Sequence, residues 1–118
     1  MTVFRLVHVP NADDEHLANS FLSSRAKGER PRGREKTVPE LRDSVSVYKE
    51  LEQARDVWRP IRERHPEPRI GSYIAEVRLE GSEGFMYEDL DEPDGHMELW
   101  GEALKLAAAV VDIRAAGG

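Results

Sequence analysis

The segment 70–79 alternates between two sets of side chains, and this pattern constrains the fold more than any other feature of the chain. Such alternation is typical of a half-buried β-strand. Segment 3–9 (VFRLVHV) shows the same pattern and is closed by Pro10, which cannot donate to a strand ladder. The two segments therefore predict a β-sheet with one face against a core. In segment 70–79 the alternating side chains are Tyr73, Ala75, Val77 and Leu79 on one side, and Ile74, Glu76 and Arg78 on the other.

The size and composition of the chain predict one folded domain, residues 1–118. With 39% hydrophobic and 34% charged residues, 118 residues can bury one core but not two. The absence of cysteine excludes disulfides, thiolate metal sites and thiol nucleophiles, and it suits a reducing cytoplasm, which is the expected location. No apolar run approaches the roughly 20 residues that span a bilayer, so no membrane partner is expected.

Charge is segregated along the chain. The net charge of −6 disfavours a nucleic-acid partner, because the negative charge of the chain would repel the phosphates. Within 25–36, however, six basic residues face two acidic ones, and Gly28, Pro31 and Gly33 interrupt the segment. This composition predicts an exposed, flexible basic loop at about 25–37, and a phosphate-binding arm is the alternative.

The middle of the chain allows two interpretations. Apolar residues at spacings of three and four predict one long helix from Val38 through Trp58. Alternatively, the polar and β-branched alternation of 44–48 (SVSVY) predicts a strand, followed by a helix over 49–65 that is disturbed near Pro60. The second interpretation is favoured. A short helix starting at Pro39 and capped by Thr37 is predicted before the strand.

The remaining segments complete an α+β prediction: a compact mixed or antiparallel β core with two or three flanking helices. Asn11 is predicted to cap a helix that buries Leu17 and Phe21. After a turn at 81–84, residues 85–87 are predicted to be extended and 88–96 (EDLDEPDGH) to form an acidic loop. A helix over 98–109 and a last strand over 110–113 follow.

Strong catalytic motifs are missing, because the sequence has no Gly-rich phosphate loop, G-x-S-x-G elbow or H-E-x-x-H pair. Asp89, Asp91, Asp94 and His96 could supply oxygen and nitrogen ligands to a cation. Their spacing lacks the pattern of a calcium loop, so a solvated acidic loop is favoured and no metal is predicted.

The order of five short motifs resembles that of small bacterial proteins of uncharacterised function that share the ADP-ribosyltransferase fold. The motifs are FRLVHV, SVSVYKELEQA, GSYIAEVRLEG, GHMELWG and AAAVVDI. The resemblance implies that NAD binds as substrate, through Arg5 or His8 on the first strand. It also implies that Ser46 or Tyr48 lies beside the nicotinamide and that Glu88 supports the reacting ribose. His96 would add a polar contact.

The chemistry of these side chains agrees with the implied roles. An arginine binds phosphate bidentately, an aromatic ring packs on nicotinamide, and a carboxylate stabilises an oxocarbenium-like centre. The best-marked transferases carry a serine-threonine-serine run or a glutamate two residues from another acid, where this chain has SVS and EDLDE. The alternative is a purely structural role, in which Tyr48 is a core aromatic, Ser46 is an outward strand residue and Arg5 is a surface residue with a packed stem.

Two functions follow as hypotheses. The first is an NAD-binding ADP-ribosyltransferase-like domain, acting as an intracellular transferase or an NAD-cleaving toxin. The second is a non-catalytic interaction protein, such as an antitoxin, immunity or phage accessory factor, whose acidic surface engages a basic protein partner. Convergence of Arg5, Tyr48 and Glu88 on one cleft would favour the enzyme.

Overall fold

The computed structural model describes residues 1–80 and 84–117, and the chain folds as an α+β domain with an antiparallel sheet. The strands are β1 (Thr2–Val7), β2 (Ser44–Tyr48), β3 (Tyr73–Arg78), β4 (Met86–Asp89), β5 (His96–Trp100) and β6 (Val110–Ala115). The α-helices are α1 (Leu51–Arg64) and α2 (Ala103–Ala108), and short 3-10 helices span Leu17–Phe21, Gly33–Lys36 and Pro39–Asp43. The strand order β4-β5-β2-β1-β3-β6 places β1 and β2 at the centre.

The centre of the sheet is split. β1 pairs with β3 from Thr2 to Val7, and β2 pairs with β5 along its whole length. Between β1 and β2, in contrast, the described pairing is confined to Phe4 opposite Tyr48. The two central strands therefore diverge beyond this pair, and the backbone groups that face the gap must bond to something other than a neighbouring strand.

Each face of the sheet buries a separate apolar cluster. On one face, valines of the central strands pack with Phe21 of the first 3-10 helix and Leu106 of α2. On the other face, α1 brings Ala54 against Leu6 and Ile74. Alternation along each strand produces this division, because successive side chains point to opposite faces. The gap between β1 and β2 therefore lies in a sheet that has an apolar cluster on each face.

The middle segment is a strand followed by a helix, as the favoured interpretation predicted, and the single long helix is wrong. α1 starts with a capping box in which the Glu50 side chain accepts from the backbone of Gln53 and the Gln53 side chain accepts from the Glu50 N–H. The helix continues through Pro60 and ends at Arg64. No described helix is long and apolar enough to cross a membrane.

One predicted helix and the two predicted caps, Asn11 and Thr37, are wrong, whereas the short helix predicted to start at Pro39 is present as the 3-10 helix Pro39–Asp43. The segment after Asn11 forms turns and the 3-10 helix Leu17–Phe21 rather than an α-helix, although Leu17 and Phe21 are buried as predicted. Thr37 does not cap the next helix, because Val38 occupies the cap position without a side-chain bond. Residues 11–22 are mostly polar, so they offer too little apolar surface to support a longer helix.

The C-terminal half contains one strand, β5, that the sequence interpretation missed: residues 96–100 form β5 rather than the end of a loop and the start of a helix. Residues 86–89 form β4, which overlaps the segment 85–87 predicted to be extended, so the acidic loop is shorter than predicted. α2 is correspondingly shorter than the predicted helix over 98–109, and β6 extends the predicted last strand. Within the predicted turn at 81–84, residues 81–83 lie outside the described part of the chain.

Candidate functional site

Four polar side chains from β2 and β5 form a hydrogen-bonded network on one face of the sheet. Pairing of Ser46 with Glu98 sets the register that brings them together. The Ser44 hydroxyl donates to Glu98 Oε2 at 2.6 Å, and His96 Nε2 lies 3.0 Å from Glu98 Oε1 and 3.0 Å from Ser46 Oγ. Glu98 is only 8% exposed, so these partners replace most of the water that a carboxylate needs.

The network holds Glu98 as an anion. Burial acts to raise the pKa of Glu98, but the hydrogen bonds from His96 and Ser44 and the charges of His96 and Arg34 together lower it below its ordinary value. The bond to Glu98 raises the pKa of His96, with a further contribution from Glu92, whose Oε2 lies 3.2 Å from Nδ1. The two shifts agree, since each group favours the charged form of the other.

This electrostatic arrangement disfavours a serine-hydrolase role for Ser46. A general base must accept the serine proton on a free imidazole nitrogen. Both nitrogens of His96 face carboxylates, and its raised pKa favours the imidazolium, which only donates. A carboxylate beside Ser46 would also repel the oxyanion of an acyl-transfer intermediate.

Arg5 bridges the split from the other side. Its Nη1 donates to the Ser46 carbonyl of β2 at 2.7 Å, so the guanidinium satisfies a backbone group next to the gap between the strands. Its Nε donates to the Ser20 carbonyl of the first 3-10 helix at 2.8 Å. The Phe21 ring lies 5.8 Å from Arg5 Cζ, within cation–π distance. Burial lowers the pKa of Arg5 to about 10, against the opposing effects of Tyr48 and Glu98, and the side chain stays charged at neutral pH.

Tyr48 closes the site next to Arg5. Its ring centroid lies 5.8 Å from that of His96, and the two rings are tilted by 35°. Burial, followed by the charge of Asp94, raises the pKa of Tyr48 to about 12, so the phenol is neutral. Because Tyr48 is 9% exposed, it presents a small part of its ring to a ligand.

Two cavities open on these residues and meet at Ser46. The larger, of about 560 Å³, is lined by Arg5, His8 and Tyr48 together with apolar side chains of α1. The smaller, of about 370 Å³, is lined by Ser44, His96 and Glu98. Ser46 and Arg32 line both cavities. Together these two neighbouring cavities are called the cleft.

Most of the site residues predicted from the sequence lie in this cleft. Arg5, Ser46, Tyr48 and His96 converge on it, and His8 lines the larger cavity with an exposed side chain. Glu88 does not. It lies exposed on β4, opposite Glu98 across the ladder, and lines neither of the two described cavities.

Glu98 is the buried, hydrogen-bonded residue of the cleft that the sequence interpretation did not name. The available signal was the period-two alternation of segment 96–99, in which Met97 and Leu99 are apolar and His96 and Glu98 are polar. That pattern matches 44–48 on the partner strand. The helix-permissive residues that follow, from 102 onward, obscured it.

The acidic segment does not form a cation site. Asp89 pairs with Lys49 at 2.7 Å, and Asp94 Oδ1 accepts from the His96 backbone N–H at 3.0 Å. Among the described residues, no group of three or more His, Asp or Glu side chains is placed to hold a metal ion.

Comparison with known proteins places the chain in no family: no family model, curated protein or solved structure matches it significantly. Function is therefore inferred from the geometry of the site.

Proposed function

We propose that the protein is an NAD-binding domain of the ADP-ribosyltransferase type, which cleaves the bond between nicotinamide and ribose. The supporting observation is a continuous path of contacts across three strands. It runs from the Arg5 guanidinium to the Ser46 carbonyl, and from the Ser46 hydroxyl through His96 to Glu98. Arg5 and Ser46 line the cavity of about 560 Å³, and Ser46, His96 and Glu98 line the cavity of about 370 Å³. Both volumes are within the usual range for small-molecule sites.

Glu98, rather than Glu88, is assigned to the reacting ribose. When the C–N bond breaks, its electron pair leaves with nicotinamide and positive charge develops at the ribose carbon. A fixed anion at that carbon stabilises the charge as it forms. Glu98 meets this requirement because Ser44 and His96 hold both of its oxygens and its lowered pKa keeps it ionised at neutral pH.

Arg5 and Tyr48 are assigned to binding. Arg5 uses Nε and Nη1 for backbone carbonyls, which leaves Nη2 to meet a phosphate oxygen of NAD. Tyr48 would border the nicotinamide, with Val57 and Ile61 of α1 as the apolar wall of the cavity. Water or an acceptor would then attack the ribose carbon and give free or transferred ADP-ribose.

The same electrostatics favour this reaction over its chemical rivals. The carboxylates of Glu98 and Glu92 flank His96 on the face where the reaction would occur. They stabilise a cationic transition state, whereas acyl transfer requires donors aimed at an oxyanion. A purely interaction-based role through the acidic surface would not require a buried, hydrogen-bonded carboxylate beside a cavity.

The decisive experiment compares Glu98→Gln with Glu88→Gln. The two residues face each other on adjacent strands, so the variants remove the same charge from neighbouring positions. NAD binding is measured by calorimetry and nicotinamide release by chromatography. We expect Glu98→Gln to reduce turnover by roughly a hundredfold or more while the Kd for NAD changes about threefold or less.

Glu88→Gln is expected to leave both quantities close to those of the wild type. Loss of turnover in Glu88→Gln but not in Glu98→Gln would return the role to Glu88. Absence of both NAD binding at millimolar concentration and nicotinamide release would refute the enzyme and favour the interaction protein.

A further inference from the structure

Three cations surround one carboxylate at the mouth of the larger cavity. Glu29 Oε1 lies 3.0 Å from Lys27 Nζ, and Oε2 lies 2.5 Å from Arg32 Nη2 and 4.0 Å from Arg69 Nη2. All four residues line the cavity that contains Arg5 and Tyr48. Lys27 and Arg32 belong to the basic loop, whereas Arg69 precedes β3, so the cluster forms only in the folded chain.

The cluster is not electrically balanced. One carboxylate among three cations leaves a local charge of +2, on a chain whose net charge is −6. The Glu29 side chain is 21% exposed, whereas those of Lys27, Arg32 and Arg69 are 46%, 63% and 86% exposed. The carboxylate therefore lies at the centre with the cations around it, which is the position that an anionic ligand would take.

The backbone at Glu29 is held independently of its carboxylate. The Glu29 N–H donates to the Ser24 carbonyl at 2.9 Å, and Arg42 Nη2 donates to the Glu29 carbonyl at 2.8 Å. The Ser24 hydroxyl donates to Glu35 Oε1 at 2.7 Å across the same loop. The Glu29 side chain can consequently swing away from the cations while the loop keeps these bonds.

The positive field extends from this cluster into the cavity. His8 lines the cavity, and desolvation followed by the charges of Arg5 and Lys27 lowers its pKa. Arg5 and Lys27 both line this cavity, and both act on His8. A ligand that carries negative charge between them would be attracted along the length of the cavity.

We propose that Lys27, Arg32 and Arg69 form a binding subsite for a phosphate group, and that Glu29 occupies this subsite until the phosphate displaces it. A phosphomonoester dianion, or the two phosphates of the dinucleotide with one negative charge each, would replace the single charge of Glu29 and offer more acceptor oxygens to the two guanidinium groups. The identity of the ligand rests on the proposed function: the phosphate belongs either to the dinucleotide or to a phosphate-bearing acceptor. The subsite itself requires only the cluster.

Inorganic pyrophosphate is the probe, titrated calorimetrically into the full chain. We expect Glu29→Gln to bind pyrophosphate about tenfold more tightly than the wild type and Arg32→Gln to bind it about tenfold more weakly. The gain in Glu29→Gln should shrink as salt rises, because the side chains are partly exposed. Glu52→Gln is the matched control, since Glu52 pairs with Arg55 and Arg59 outside the cavity and its loss changes the net charge equally.

Equal affinities in Glu29→Gln and Glu52→Gln would overturn the subsite, as would undetectable binding by both. If pyrophosphate competes with NAD, the subsite takes the dinucleotide phosphates; if both bind together, it takes a phosphate of the acceptor. Pyrophosphate binding with the expected Glu29 effect, but without nicotinamide release, would preserve the subsite and refute only the proposed function.

Discussion

Replacement of Ser44 by alanine tests whether the buried network positions the Glu98 carboxylate. The Ser44 hydroxyl lies 2.6 Å from Glu98 Oε2 and 2.9 Å from the Leu41 carbonyl, and Ser44 is buried. A hydrogen bond to a charged group contributes about 1.5–3 kcal/mol. Glu98 keeps its bond to His96 in the variant, so we expect a loss of about 2 kcal/mol in the free energy of unfolding near pH 6.

This loss should depend on pH in a defined direction. The pKa of Glu98 in the folded protein is below its ordinary value of 4.5, so Glu98 contributes stability above that value and loses it as the pH falls through the folded pKa. Removing the Ser44 bond raises the folded pKa. The difference between wild type and Ser44→Ala should therefore be full near pH 6 and should shrink as the pH falls below about 4.5.

Urea denaturation followed by tryptophan fluorescence measures this difference. Trp100 is a suitable reporter because it lies on β5 and its Nε1 donates to the Glu40 carbonyl at 3.0 Å. Ser72→Ala is the control, since Ser72 is also partly buried but its hydroxyl is 3.5 Å from Trp58 Nε1. We expect it to cost about 0.5 kcal/mol or less at either pH. A Ser44→Ala loss that matches this control, or that is the same at pH 6 and pH 3.5, would refute the positioning role.

Two pairs of substitutions, each a test variant with its control, examine how the packing of the domain is maintained. Gly71 has a φ of +93°, and a Cβ there would lie 2.1 Å from the Val7 carbonyl oxygen, so Gly71→Ala should destabilise the protein by about 3 kcal/mol or more in urea denaturation. Gly28→Ala, at φ +73° but with nothing within 4 Å, should cost only about 1 kcal/mol, and equal losses would contradict the steric argument. Leu106 is fully buried, whereas Leu104 is 76% exposed. Leu106→Ala should therefore lower the free energy of unfolding by about 3 kcal/mol, and Leu104→Ala by about 0.5 kcal/mol or less. Similar losses in the two variants would mean that α2 does not pack as described.

The strands that alternate most cleanly were predictable from the chain itself. Segments 3–9, 44–48 and 70–79 correspond to β1, β2 and β3. β1 begins one residue earlier and ends two residues earlier than predicted, and β3 is shorter than predicted at both ends. Burial of alternate side chains acts within each strand, so the pattern is present before any long-range pairing. Arg5, Ser46 and Tyr48, which the resemblance named as candidates, lie on β1 and β2.

β5 shows where local pattern failed. In segment 96–100 the alternation rests on Met97 and Leu99, and acidic residues, glycine and helix formers surround the segment. This context favoured a loop and a helix. It becomes a strand because β2 and β4 pair with it on both sides. Such pairing overrides weak intrinsic preference, because β-propensity depends on the neighbours that a strand meets.

The chain alone therefore determined its α+β class, its central strands and the residue types available for binding. Only the tertiary structure decided which carboxylate lies in the cleft, because Glu88 and Glu98 occupy adjacent strands and their burial differs. Glu98 is placed against Ser44, 54 positions away along the chain, and the basic loop is brought against Arg69. Contacts at such separations follow from strand order and register, which depend on the free energy of the whole sheet rather than on any local segment.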